Sequence, residues 1–263
     1  MNDDDARGRP VLLLDFDGTV CVGDGPVWAY AEALITDLLD EAGAGIDESI
    51  RAQLGAFLDG APEAPAYLDG YAAVAALAQD HVSAEQLQKA YQTSRRALAD
   101  GGITVSTPPG LAAFLHTIGP RAERVLVTNA PADGVAETLT ALGLRNAIDR
   151  IVTDAGKPAG WAGLLEPTLA TRPASHVMAV GDIWGNDVAE PLAAGCATAL
   201  IDRFGHRAGP ANLVAPTFES LYPGIRAWAD DPDAFLAGHP ASTNSTETST
   251  APTEPHLDRT GTR

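Results

Sequence analysis

Residues 11–20 read VLLLDFDGTV, and this stretch decides how the rest of the chain is read. Four aliphatic residues run without alternation into Asp15, Phe16 and Asp17, and Gly18-Thr19 turns the chain away. A short apolar run without polar alternation marks a strand buried on both faces, as in a parallel sheet flanked by helices. At a strand end, a two-residue spacing points Asp15 and Asp17 to one side and Phe16 to the other. Carboxylates so close resist joint ionisation unless a cation neutralises them. The strand therefore ends in an electrostatic problem that other parts of the chain must answer.

Working outward, three more apolar runs read as strands of the same sheet: RVLVTN (124–129), HVMAVGD (176–182) and ATALID (197–202). DRIVTD (149–154) is a weaker candidate. Helical segments fit between them: 133–142, opening on the acidic cap Asp133 and stopping at Gly143, and 186–194, stopping at Gly195. This βα alternation predicts an α/β fold, a doubly wound, Rossmann-like parallel sheet.

One interval breaks the rhythm. More than a hundred residues separate Asp17 from the run at 124, and a compact domain does not tolerate a structureless loop of that length. Apolar stripes at helical spacing fill it: Trp28, Ala31, Leu34, Ile35, Leu38 and Leu39; then Leu54, Phe57 and Leu58; then Tyr67, Leu68, Tyr71, Val74 and Leu77; then Leu87, Tyr91, Ser94 and Leu98. Four amphipathic helices can bury these stripes against one another. The interval 23–103 thus reads as an inserted α-helical domain, with Gly23, Gly25 and Gly101-Gly102 as hinges at its ends. The core would comprise 10–22 and 104–236. Residues 1–9 read as a flexible N-terminus, and 237–263, rich in Ser, Thr and Pro, as a disordered tail.

Composition narrows the function. The net charge of −18 argues against nonspecific binding to nucleic acid or to an anionic membrane surface. No apolar run approaches the ~20 residues of a membrane helix, and the opening MNDDDARGRP has no apolar segment of a signal peptide. Cys21 and Cys196 fit no metal-binding or disulfide spacing and read as buried thiols of a cytoplasmic protein. A monomer or homodimer acting on a small molecule is expected.

In such a sheet, ligands bind beyond the carboxyl ends of the strands. The polar residues there are Asp15 and Asp17, Thr128 and Asn129, Lys157 in TDAGKPAG, and Asp182 and Asp187 in GDIWGND. Carboxylates from two strand ends are hard oxygen ligands, which suit Mg²⁺ with open positions for water and a substrate phosphate. Lys157 and the Thr128 hydroxyl are the complement that phosphoryl oxygens require.

Taken in this order, the residues resemble the motifs of the haloacid dehalogenase superfamily, whose members are mostly phosphatases. DFDGT (15–19) is similar to its first motif, VLVTN with Thr128 to its second, Lys157-Pro158 to its third and GDIWGND (181–187) to its fourth. PPGLAAFLHTIG (108–119) resembles the segment that re-enters the core, and the insert resembles a helical cap. The resemblance implies a Mg²⁺-dependent phosphomonoesterase acting on a small phosphorylated metabolite. Asp15 would be the nucleophile that forms an aspartyl-phosphate, and Asp17 the acid and base. Thr128, the Asn129 backbone amide and Lys157 would bind the phosphoryl group. The metal would be held by Asp15, the Asp17 carbonyl and Asp182, with Asp187 ligating through water or orienting the shell.

An aspartate at position 17 departs from the dehalogenases of the superfamily, which lack one there. Gly181-Asp182 departs from the Glu-Asp pair typical of its sugar-phosphate mutases. A phosphomutase, or a noncatalytic binding protein on this scaffold, is the alternative. Within the insert, Trp28, Tyr30, Tyr67, Tyr71, Lys89, Arg95 and Arg96 are candidates to contact a leaving group, but the aromatics read rather as packing and the Arg95-Arg96 pair as a solvated face. His206 reads as an ordinary loop histidine.

Overall fold

A computed structural model of the chain describes residues 8–39 and 45–242, with side chains omitted for residues 38 and 39. The side chains of Leu38 and Leu39, the expectation for residues 1–7 and that for 243–263 lie outside the described residues.

The described residues form a six-stranded, all-parallel sheet in the order β3-β2-β1-β4-β5-β6. Its strands are β1 (Val11–Leu14), β2 (Glu123–Val127), β3 (Arg150–Val152), β4 (Val177–Gly181), β5 (Ala197–Ile201) and β6 (Leu213–Ala215). β1 lies at the centre, with all four residues buried. Leu12, Leu14 and Phe16 face one apolar layer, with Leu115, Phe218 and Trp228. Val11 and Leu13 face the other, with Trp161 and Leu165. Burial on both faces is why the sequence of this strand shows no alternation.

The strand order reverses direction between β1 and β4, which makes their carboxyl ends the switch point where such sheets bind ligands. The register aligns those ends. Leu14 pairs with Leu126 on one side and Val180 on the other, and the Asp15 N–H donates to the Val180 carbonyl at 2.9 Å. Asp15, Thr128 and Asp182 therefore leave the sheet at nearly one level.

Between β1 and β2 the chain forms α1 (Gly25–Leu39), α2 (Ile46–Leu58), α3 (Gly70–Ala78) and α4 (Ala84–Ala99), followed by α5 (Leu111–Ile118) beside the sheet. The first four share an apolar cluster of their own, which includes Leu34, Ile35, Leu54, Phe57 and Val74. Local sequence fixes their starts. Asp69 caps α3 by accepting the Ala72 N–H at 2.6 Å. Ser83 and Gln86 form a reciprocal capping box at α4. The third stripe begins later than its spacing predicts: Tyr67 and Leu68 precede α3, and Leu68 is 53% exposed. Where the chain leaves the sheet and where it returns, Val22 and Ser106 pair in an antiparallel bridge with two backbone hydrogen bonds of 2.9 Å.

The remaining helices are α6 (Val135–Ala141), α7 (Trp161–Leu169), α8 (Ala189–Ala193), α9 (Tyr222–Asp230) and α10 (Pro232–Gly238). α6 starts after Gly134 with no side-chain cap, so Asp133 does not act as predicted. The two terminal boundaries also shift. Arg9 is anchored, donating to the Gly119 carbonyl and accepting from Arg172. At the other end α10 runs to Gly238, Phe235 is buried, and Ser242 pairs with Ala211. A buried aromatic and a strand-like bridge hold 237–242 to the core, where composition alone predicts a tail. No described helix is long and apolar enough to cross a membrane.

Candidate active site

The carboxyl ends of the strands and the facing helices enclose a cavity of about 670 Å³. Asp15, Asp17, Thr128, Asn129, Lys157, Asp182 and Asp187, all expected from the sequence, line it. Oxygens of Asp15, Asp182 and Asp187 lie within 4.8 Å of one another. The Asp17 carboxylate is not one of these three.

Lys157 answers part of the charge problem. Its ammonium donates to Asp15 Oδ1 at 2.8 Å and to Asp187 Oδ1 at 2.6 Å, and its side chain is 2% exposed. Burial disfavours its charge, but the Asp15 and Asp187 carboxylates outweigh that and raise its pKa. Asn129 fixes the loop that delivers it: the Asn129 amide accepts from the Lys157 N–H at 2.7 Å and donates to the Lys157 carbonyl at 2.9 Å. Asn129 was expected to act through its backbone, so this side-chain role was missed. Thr128 is buried at the end of β2, and its hydroxyl oxygen accepts from the Ala130 N–H at 3.0 Å.

One cation does not balance three carboxylates. Burial first, then the charges of Asp15 and Asp187, push the Asp182 carboxyl well above its usual range. Asp187 is likewise raised by burial and by Asp15, with Lys157 partly offsetting. Asp182 Oδ1 is buried without a hydrogen-bond partner among the described residues. A Cβ at Gly18 would overlap the Asp182 carboxylate, and one at Gly181 would overlap Asp187. The chain thus keeps both positions bare so that these acids can stand where they do. An orphaned buried carboxylate oxygen beside two more hard oxygen donors fits a divalent cation such as Mg²⁺.

Asp17 turns toward the helices. Its Oδ1 accepts from Arg95 Nη1 at 2.8 Å, and Arg95, on α4, is 4% exposed. The expectation of a solvated face fails for Arg95, although it holds for its exposed neighbour Arg96. A signal was present: Arg95 lies four residues after Tyr91 and three before Leu98, on the buried stripe of α4. Burial raises the Asp17 carboxyl and Arg95 pulls it back, leaving it above the usual range. Tyr71 and Tyr91 stand beside this pair, with ring centroids 5.8 Å apart, and both line the cavity. His206 stays in its loop, where its N–H donates to Asp202. Cys21 and Cys196 are free and buried, and burial pushes both thiols up to about 12.

Comparison with known proteins supports the architecture. No protein-family model and no curated protein matches the sequence. Among solved structures, the chain is similar to the magnesium-bound protein YfnB of Bacillus subtilis, described as a HAD-hydrolase. The identity is 18% and the TM-score 0.55, over 82% of this chain and 98% of that one. It is also similar to a HAD phosphatase of Thermococcus onnurineus, with 18% identity and TM-score 0.52 over 82% and 97%. A third likeness is to the L-2-haloacid dehalogenase RSc1362, with 15% identity and TM-score 0.52 over 83% and 99%. At such identities the likeness concerns the fold: the chain has the fold of the haloacid dehalogenase superfamily. Phosphatases and dehalogenases both stand among the neighbours, so chemistry has to be argued from the site itself.

Proposed function

We propose that this protein is a Mg²⁺-dependent phosphomonoesterase that works through an aspartyl-phosphate on Asp15. The observation that carries this reading is the convergence, at the switch point of the sheet, of Asp15, Asp182 and Asp187 around one buried lysine. Asp15, Asp182 and Asp187 would hold the metal, which when bound offsets carboxylate and phosphoryl charge.

The residues then have separable tasks. Lys157 holds Asp15 through one oxygen and orients it for attack on phosphorus. As the new Asp15–phosphorus bond forms, the bond to the leaving oxygen breaks, and that oxygen keeps the electron pair and takes a proton from Asp17. In the second half, a water gives its proton to the Asp17 carboxylate as its oxygen attacks phosphorus. The acyl-phosphate bond breaks and the Asp15 carboxylate is restored. Lys157 and the strand-end donors near Thr128 and Asn129 stabilise charge on the transferring group. A proton carrier at position 17 is what both halves require. Its raised proton affinity, set by burial against the pull of Arg95, suits a group that must both give and take a proton.

The test is hydrolysis of p-nitrophenyl phosphate and of a panel of phosphorylated metabolites with Mg²⁺, with EDTA, and by Asp15→Asn. Release that needs both the metal and Asp15 is expected. Equal release by the variant, or no metal dependence, overturns the reading.

A further inference from the structure

The cavity extends well past the phosphoryl end, with room for a leaving group of drug-like size. The charges around that second half are one-sided. Of the residues lining the cavity, the basic ones are Lys157 and Arg203. Lys157 is committed to Asp15 and Asp187. Arg203 is committed to Asp24 through two hydrogen bonds of 2.7 and 2.9 Å, and also donates to the Leu58 carbonyl. Arg95 does not line the cavity and is paired with Asp17. Among the described residues, each lining cation thus already has a carboxylate partner.

The acids are less evenly matched. Asp69 lines the cavity close enough for its charge to reach Asp182. Burial and the Asp15 charge raise its carboxyl, and only backbone N–H groups of Tyr71 and Ala72 offset them. Its capping role explains its place at the start of α3 but not its charge, because Ser, Thr or Asn caps a helix as well. Glu219 also lines the cavity and makes no ion pair among the described residues. The same cavity is also lined by aromatic and aliphatic side chains: Tyr71, Tyr91, Phe204, Phe218, Val27 and Leu58. Aromatic faces beside carboxylates accept cations and apolar groups, and repel anions.

We infer that the substrate is a phosphomonoester whose leaving group is neutral or cationic and partly apolar, and carries no second anion. The inference rests on the phosphatase reading and gives it a substrate class. A bisphosphate or a phosphorylated hydroxy acid would set its second charge against Asp69 or Glu219, with each lining cation already paired. An alkyl, aryl or aminoalkyl phosphate would not.

A matched set of near-equal size tests this: propyl phosphate, 2-aminoethyl phosphate and carboxymethyl phosphate, compared by kcat/KM with Mg²⁺ on the full chain. Carboxymethyl phosphate is expected to fall about tenfold or more below propyl phosphate, the scale of an unfavourable like-charge contact, with 2-aminoethyl phosphate level with propyl phosphate or above it. Asp69→Asn, which keeps a capping side chain, and Glu219→Gln should each raise the carboxymethyl-to-propyl ratio several-fold. Carboxymethyl phosphate hydrolysed as well as propyl phosphate, in a reaction lost in Asp15→Asn, overturns the substrate class and leaves the phosphatase reading standing. If none of the three, nor p-nitrophenyl phosphate, shows Asp15-dependent hydrolysis, both fall together. Ratios unmoved in both variants also count against the inference, because its charges would then not reach the substrate.

Discussion

Two buried cations reach the same group of carboxylates from opposite sides. Lys157 comes from the sheet side, on the loop after β3, and bridges Asp15 and Asp187. Arg95 comes from α4, among the helices between β1 and β2, and holds Asp17. Lys157 is fixed through its own backbone by Asn129, and its two partners sit at strand ends. Arg95 has one carboxylate partner, across the cavity boundary, and its Nε is buried without a hydrogen bond among the described residues. The lysine is part of a floor that holds Asp15, the proposed nucleophile. The arginine ties the helices to Asp17, the proposed proton carrier.

That contrast can be broken by substitution. Asp15→Asn removes the proposed nucleophile and should lower kcat by roughly 10³-fold or more, with folding retained by circular dichroism. Lys157→Met leaves Asp15 and Asp187 facing each other without their cation, and should cost about 10²–10³ in kcat/KM. Arg95→Met should cost less, about tenfold and mainly in kcat, with Arg95→Lys recovering part of it, because Asp17 keeps its place at the sheet but loses its orientation. A loss at Arg95 equal to that at Lys157 would erase the distinction between floor and roof, and an unchanged kcat would show that the pair is only structural.

The smallest effect lies away from the cavity and concerns stability. Asp149 accepts three hydrogen bonds from Arg124, through the backbone N–H, Nε and Nη2. Burial raises the Asp149 carboxyl, but the hydrogen bonds and charge of Arg124 outweigh it and lower the pKa. A carboxyl lowered on folding stabilises the native state above its unfolded value, about 4, and that contribution fades as pH drops through the folded value. Asp149→Asn should therefore lower Tm by a few degrees at pH 7, with the gap to wild type narrowing below about pH 4 in thermal melts. A gap independent of pH would mean that geometry rather than charge is lost there.

What was legible in the sequence followed from local rules. β1 and β4 are unbroken apolar runs and β2 and β5 are mostly apolar, and a strand end fixes the direction of the acids that follow. β6 is three residues long and, unlike the equally short β3, has no polar strand-end signal to mark it. The order of the end segment depended on Phe235 and Ser242, whose partners are elsewhere in the chain. Arg95 was misread because an arginine on a helix is ordinarily solvated. Its burial depends on Asp17, 78 residues earlier, and only its place on an otherwise buried stripe hinted at it. Asn129 lines the cavity at the end of β2, and its side-chain grip on the Lys157 backbone is a tertiary fact with no local trace.

The bridge between Val22 and Ser106 joins the outgoing and returning chain side by side, with a hydrogen bond in each direction. Two separate tethers would let the roof of the cavity slide, twist and tilt. One residue pair joined in both directions leaves a single short tie where the helices meet the sheet, so Arg95, Tyr71 and Asp69 share one common anchor to the carboxylates below them.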